Sequence, residues 1–251
     1  MPRLDQSNDM QNFNAGRGGF AFTGARFDKL GSTDYTLVTI AVDETGSTLG
    51  FERELAKMLR TAVDACRKNP RSDNILLRVI YFSSKYKDGV SEIHGFKPLA
   101  DIDTSAYPVP SPGGLTPLCD ATYSSLHATN VYGQQLADQD FGVNAIFFII
   151  TDGAENDSTA TMQMVKTEQE RARTSEQLES LISILVGINA KPCQAALDQF
   201  KDEAGITHYR DAGDATPRNL AKLAAFVSTS VSSQSQALGT GGPSQNIAAH
   251  I

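Results

Sequence analysis

The chain of 251 residues carries 22 Lys and Arg against 29 Asp and Glu, a formal charge of −7, with 40% hydrophobic and 20% charged residues. That is enough for one large or two small packed domains and excludes a globally disordered chain; an acidic balance without a Lys/Arg cluster also excludes a sequence-independent grip on nucleic-acid phosphates. The longest apolar run, Ala145 to Ile150, is six residues against the roughly 20 that a membrane-spanning helix needs, so neither nucleic acid nor membrane is expected as a partner.

Residues 1–33 are rich in Gly, Asn and Asp (FNAGRGGFAFTGARFDKLGSTD) and read as an extended or loosely paired arm with no apolar core of a secretory signal. Residues 34–232 alternate apolar runs of strand length with amphipathic stretches, the pattern of βα units on a mostly parallel sheet. TLVTIAVD (36–43) is a β-branched run ending at an aspartate, as a buried parallel strand does. Phe51, Leu55, Met58, Leu59, Ala62, Val63 and Cys66 share one face of a helix. ILLRVIYF (75–82) is a second strand, and KDG before VSEIHGF predicts a hairpin to a short antiparallel neighbour.

A Pro-rich loop (107–114) leads to Pro117, which suits the first turn of a helix running through Leu126. NAIFFIITD (144–152) is the most apolar strand and again ends at an aspartate. A polar helix over 159–178, a strand over 180–187, a helix over 193–204, a short edge strand over 207–212 and a helix through Leu220, Leu223, Ala224, Val227 and Val231 complete the domain. The prediction is a three-layer, doubly wound α/β domain of Rossmann-like type: a mostly parallel six-stranded sheet with one antiparallel edge strand. Residues 233–251 (SSQSQALGTGGPSQNIAAHI) are too poor in bulky apolar groups to order, and are expected to be a flexible tail. Cys66, Cys119 and Cys193 lie far apart, which suits free thiols in a reducing compartment and a cytoplasmic location.

In open α/β sheets, ligands bind beyond the carboxyl ends of the strands near the switch in strand order. Two such ends here carry oxygen donors, Asp43-Glu44-Thr45-Gly46-Ser47 and Thr151-Asp152-Gly153, and between them Gly113-Gly114-Leu115-Thr116-Pro117 enters a helix. Asp43, Thr45, Ser47, Thr116 and Asp152 supply only hard oxygens, which suit Mg²⁺ rather than zinc. In a loop past a strand, residues 43, 45 and 47 can aim at one point, with Gly46 letting the backbone turn.

These residues resemble the metal-ion-dependent adhesion site of the von Willebrand factor A (vWA) domain, D-x-S-x-S followed by a distant Thr and a distant Asp. The resemblance covers about residues 35–232 and departs from the pattern at Thr45, where Ser is usual. It implies Thr45, Ser47 and Thr116 as direct ligands of Mg²⁺ or Mn²⁺, with Asp43 and Asp152 holding waters and hydroxyls. It further implies a non-catalytic, metal-dependent protein-interaction module whose partner donates an Asp or Glu side chain to the ion. The run NPRSDNILLRVIYFS resembles intracellular bacterial members that accompany tellurium-resistance and stress systems.

Other residues read more plainly. Glu44 is expected to be solvated, Glu155, Asn156 and Asp157 to form a polar loop beside the site, and Asp120 either to brace that loop or to lie on a helix surface. The scattered His94, His127, His208 and His250 are expected to be structural or exposed. Two alternatives stay open: a structural subunit assembling through its arm and tail, and a hydrolase. For the latter, Gly46-Ser47-Thr48-Leu49-Gly50 resembles a nucleophile elbow with Thr48 at its centre, or a metal could assist hydrolysis.

Overall fold

The computed structural model describes residues 9–14, 20–174, 178–241 and 251. Eight strands form one sheet: β1 (Met10–Asn14), β2 (Ala21–Ala25), β3 (Asp34–Asp43), β4 (Ile75–Phe82), β5 (Val90–Pro98), β6 (Gly142–Thr151), β7 (Leu181–Gly187) and β8 (His208–Asp211). They lie in the order β1-β2-β5-β4-β3-β6-β7-β8. β4, β3, β6, β7 and β8 run parallel, and β5 is antiparallel to β4. The helices are α1 (Glu52–Cys66), α2 (Leu118–Ala137), α3 (Met162–Thr174), α4 (Gln194–Ala204) and α5 (Pro217–Thr240).

Buried on both faces, the central strands carry apolar residues at successive positions rather than in alternation. Val38, Ile40 and Val42 of β3 pack with Leu55, Leu59 and Val63 of α1 and with Leu223, Val227 and Val231 of α5. Ala41, with Phe147 and Ile149 of β6, faces the other way onto Leu126, Val165 and Leu197 of α2, α3 and α4. The result is three layers. From β3 the chain crosses through α1 to β4 on one side; β6 takes the other side after α2. The carboxyl ends of β3 and β6 therefore flank the switch point, where a crevice must open.

The three-layer α/β class holds, and several details differ from the expectation. The sheet has eight strands, because part of the arm joins it: β1 and β2 form a hairpin, and Gly24 of β2 pairs with Phe96 of β5. The antiparallel strand β5 is therefore interior rather than an edge. Aromatic packing holds the hairpin down, with Phe13 stacked on Phe22 at 5.0 Å and edge-on to Tyr132 of α2 at 5.2 Å. Residues 1–8 and 15–19 of the expected arm lie outside the described residues.

The tail expected from residue 233 begins inside a helix, since α5 runs to Thr240. Polar contacts hold its second half where apolar ones are scarce: Gln234 donates to the Ala145 carbonyl and the Ser180 hydroxyl, and Asn144 donates to the Gln234 carbonyl. Of the remainder, residues 242–250 lie outside the described residues. The helix expected over 159–178 is α3, starting at Met162, and its expected stretch 175–177 is likewise outside them. Among the described residues no helix is long and apolar enough to cross a membrane.

Candidate metal centre

Asp43 closes β3 with its side chain sealed from solvent, 1% exposed. Its Oδ1 accepts the Thr45 backbone N–H at 2.8 Å and its Oδ2 accepts the Thr151 hydroxyl at 2.6 Å. Burial, reinforced by the nearby Asp152 charge, pushes the Asp43 carboxyl up to about 6 in spite of those hydrogen bonds. Asp152, just past β6, is also raised above the usual carboxylate range by burial. Two carboxylates thus converge where neither is well solvated, a field that favours a bound cation.

The hydroxyls lie between them. A 3₁₀ turn over Gly46–Thr48 carries Ser47 back toward Thr45, so that their oxygens are 3.0 Å apart, and the Ser47 hydroxyl donates to Asp152 Oδ1 at 2.7 Å. A separation of 3.0 Å is also about the edge of an octahedron whose metal–oxygen distances are ~2.1 Å, as Mg²⁺ requires. Thr116, buried at the entry to α2, is fixed by Asn156: its N–H donates to Asn156 Oδ1 at 2.6 Å and its carbonyl accepts the Asn156 N–H at 3.1 Å. Its Oγ1 lies 3.0 Å from where a Cβ on Gly153 would stand. A Cβ at Gly153 would press that hydroxyl by a few tenths of an ångström. All five expected residues accordingly sit at the carboxyl ends of β3 and β6 or on the loop packed against them. The fit to a hard divalent ion rests on this donor set. Among the described residues no group of three or more His, Cys, Asp or Glu is placed to hold a metal.

The walls of the site place several residues differently from, or more firmly than, the sequence expectation. Glu44 is buried, 3% exposed, not solvated. Its carboxylate accepts the Tyr86 hydroxyl and the Ser111 N–H and pairs with Lys85, while the backbone on both sides bonds across, Gly113 N–H to the Glu44 carbonyl and Gly46 N–H to the Gly114 carbonyl, each at 3.1 Å. The backbone does turn at Gly46, in the 3₁₀ turn Gly46–Thr48 and without a positive φ; Gly114, on the facing loop, is in the left-handed region with a φ of 74°. Three loops are thereby laced together beneath the hydroxyls.

Asp120 braces the far side, accepting the Thr159 N–H at 3.0 Å and the Ala160 N–H at 2.7 Å. Glu155 caps α2 by accepting the Cys119 N–H at 2.6 Å. Of the two readings the sequence left open for Asp120, the structure shows the brace; nothing local in the sequence suggests a buried Glu44, whose side-chain partners are all distant in the chain.

The elbow reading loses its nucleophile. Thr48 is fully buried, and its hydroxyl donates to the Thr45 carbonyl at 2.9 Å. His94 is engaged elsewhere, with Nε2 2.7 Å from the Tyr107 hydroxyl, and His127 Nδ1 lies 3.3 Å from Glu168. His208 is on the edge strand β8, and His250 is outside the described residues.

The sheet order and flanking helices define a doubly wound three-layer α/β fold, and its likeness is to von Willebrand factor A domains. No protein-family profile and no curated protein sequence matches the chain, but solved structures do. The PilB minor pilin from Streptococcus sanguinis is similar with a TM-score of 0.57 and 13% identity, over 90% of this chain and 67% of that one. The vWF domain of the type V pili tip protein Mfa5 from Porphyromonas gingivalis gives 0.52 and 10%, over 87% of this chain and 99% of that one. Proximal thread matrix protein 1 from the mussel byssus, in a structure with a zinc-occupied MIDAS motif, gives 0.51 and 15%, over 78% and 45% respectively. The chain spans less than half of that matrix protein and about a third of the pilus adhesin SpaC from Lactobacillus rhamnosus GG, of which it covers 31%. At such identities the likeness establishes the fold.

Proposed function

We propose that this chain is a metal-dependent protein-interaction module, with Mg²⁺ or Mn²⁺ held by the hydroxyls of Thr45, Ser47 and Thr116 and by waters that Asp43 and Asp152 orient. The observation that carries this reading is the Thr45–Ser47–Asp152 chain of oxygens at 3.0 and 2.7 Å, closed on the other side by buried Asp43. A bound dication would supply a Lewis-acidic point for an incoming carboxylate oxygen. This chain's residues do the rest. Burial holds the Asp43 carboxyl above its usual range, so its charge is favoured when a cation is bound beside it; Thr151 fixes its rotamer, and the neutral hydroxyls leave the dication's charge incompletely balanced, so that an Asp or Glu from a partner protein is favoured there.

The reading is non-catalytic: the one candidate nucleophile, Thr48, is buried, and its hydroxyl is engaged by a backbone carbonyl. Assembly through the arm is less well supported, because β1, β2 and α5 are engaged with this chain's own core. Three free cysteines, two of them buried, support placing the module in the reducing cytoplasm of a bacterium, and the resemblance of residues 69–83 to stress-system members supports that setting. The test is capture of a partner by the immobilised chain in Mg²⁺ and again in EDTA. Capture that is lost in EDTA and in Asp43→Ala is expected; capture indifferent to both contradicts the proposal.

A further inference from the structure

Four large apolar side chains are markedly exposed among the described residues, and three of them come from the loops that build the metal centre: Leu49 at 74%, Leu115 at 53% and Val109 at 45%. Isolated exposed apolar residues need no explanation; here Leu49 and Leu115 lie on two loops of the site that are joined by the Gly46 N–H to Gly114 carbonyl hydrogen bond. Leu49 is two residues beyond Ser47, and Leu115 immediately precedes Thr116. Val109 sits in the loop whose Ser111, Gly113 and Gly114 are hydrogen-bonded to Glu44 and Gly46.

The backbone that carries Leu115 is hydrogen-bonded on both sides. The Leu115 N–H donates to the Ser84 hydroxyl at 2.9 Å and the Leu115 carbonyl accepts the Ser84 N–H at 3.1 Å, which fixes the backbone and turns the side chain outward. Leu49 stands between the 3₁₀ turn that carries Ser47 and the start of α1. Thr45 and Thr116, close to them in the chain, are buried.

From this placement we infer that the partner is a protein segment in which the metal-seeking Asp or Glu is flanked by bulky apolar side chains, with Leu49, Leu115 and Val109 forming the apolar rim that receives them. The inference rests on the proposed metal-dependent reading and adds the chemistry of the partner to it. Charge argues for that occupant: an acidic chain repels a carboxylate everywhere except at a dication held by neutral hydroxyls. One carboxylate selects poorly among the many that a cell offers. A carboxylate beside apolar groups has its charge fixed at the metal and its neighbours desolvated on the rim, the usual division between polar anchor and apolar contact in an interface.

The experiment uses the full chain in three measurements. Mn²⁺ binding is measured alone by calorimetry. The chain is then passed, in Mg²⁺ and in EDTA, over immobilised capped peptides of sequence Gly-Leu-Glu-Leu-Gly, Gly-Ser-Glu-Ser-Gly and Gly-Leu-Gln-Leu-Gly, as wild type and as the double variant Leu49→Ser, Leu115→Ser. Sedimentation of the chain alone reports self-association. Expected is Mn²⁺ binding equal in both proteins, with the Leu-flanked Glu peptide retained at least tenfold better than the Ser-flanked one by wild type only, and only in Mg²⁺. Equal retention of the two Glu peptides, with Mn²⁺ bound, overturns the rim and leaves the metal-dependent reading standing. No Mn²⁺ binding, or Mn²⁺ binding without retention of any Glu peptide, overturns that reading and the rim with it. Dimerisation of wild type that the double variant abolishes assigns the rim to a second copy and overturns the inference.

Discussion

The Thr151 hydroxyl donates to Asp43 Oδ2 across 2.6 Å, joining the ends of β6 and β3, which pair along their length but lie 108 residues apart in sequence. Thr151 thereby fixes the buried carboxylate while leaving the outward side of the crevice to Ser47, Thr45 and Thr116. The carboxylate is anchored by the sheet, and the hydroxyls by the loops.

That anchoring sets a pH dependence. With its pKa raised from 3.8 to about 6, Asp43 contributes stability to the metal-free protein that is fully present below about pH 4 and is lost as the pH rises through about 6, by roughly 3 kcal/mol. In EDTA, urea midpoints of wild type and Asp43→Asn at pH 4.5 and 7.5 should diverge, wild type losing more stability at the higher pH. Because a cation competes with that proton, Mg²⁺ affinity should fall as the pH drops below about 6. A metal affinity flat from pH 7.5 to pH 5 would contradict this account of Asp43.

Glu44 supports the site without facing the ligand. Glu44→Ala leaves the Ser111 N–H, the Tyr86 hydroxyl and Lys85 without their shared acceptor, at a cost of about 1–3 kcal/mol for a buried unsatisfied group. The expected results are a lower urea midpoint and faster amide exchange at Ser111 and Gly113. Mg²⁺ affinity should fall as well, because the loop that presents Thr116 is bonded to the Glu44 backbone through Gly113. Unchanged exchange in that loop would show that Glu44 does not hold it.

The β1–β2 hairpin depends on a half-buried carboxylate. Glu92 of β5 accepts the Thr23 N–H at 2.9 Å and the Thr23 hydroxyl at 2.8 Å, and its other oxygen pairs with Arg78 at 2.8 Å, whose side chain is 1% exposed. Glu92→Ala leaves the Arg78 charge buried without its partner, an effect of about 3–5 kcal/mol. Amide exchange should accelerate in β2 before the rest of the sheet. Loss of protection spread evenly over β3 and β6 would contradict the hairpin's separate attachment.

What was legible in the sequence follows from where each element finds its partners. β3, β4, β6 and β7 are sandwiched between helices, so their burial is written as unbroken β-branched runs, and the site residues at their ends could be read with them. β1 and β2 were hidden because a few aromatic contacts, Phe13 with Phe22 and Tyr132, do the work that a long apolar pattern does elsewhere. α2 continues far past Leu126 although polar, because Thr122, Ser125 and Thr129 return their hydroxyls to helix carbonyls at 2.7, 2.7 and 2.8 Å and so can be buried. The second half of α5 read as tail for a related reason: the Gln234 amide N–H groups donate to the Ala145 carbonyl of β6 and the Ser180 hydroxyl, partners that no local window contains. Glu44 belongs to the same class, a charge buried only because three remote groups meet it.

The most direct measurement is a Mn²⁺ titration of the purified chain by calorimetry at pH 7.5, compared with Ser47→Ala and Thr116→Val. One saturable site that each variant weakens at least tenfold, with the urea midpoint of the exposed-site variant Ser47→Ala within experimental spread of wild type, is the predicted result. Absence of a saturable site, or equal affinity in all three proteins, would show that these hydroxyls do not meet around a metal ion.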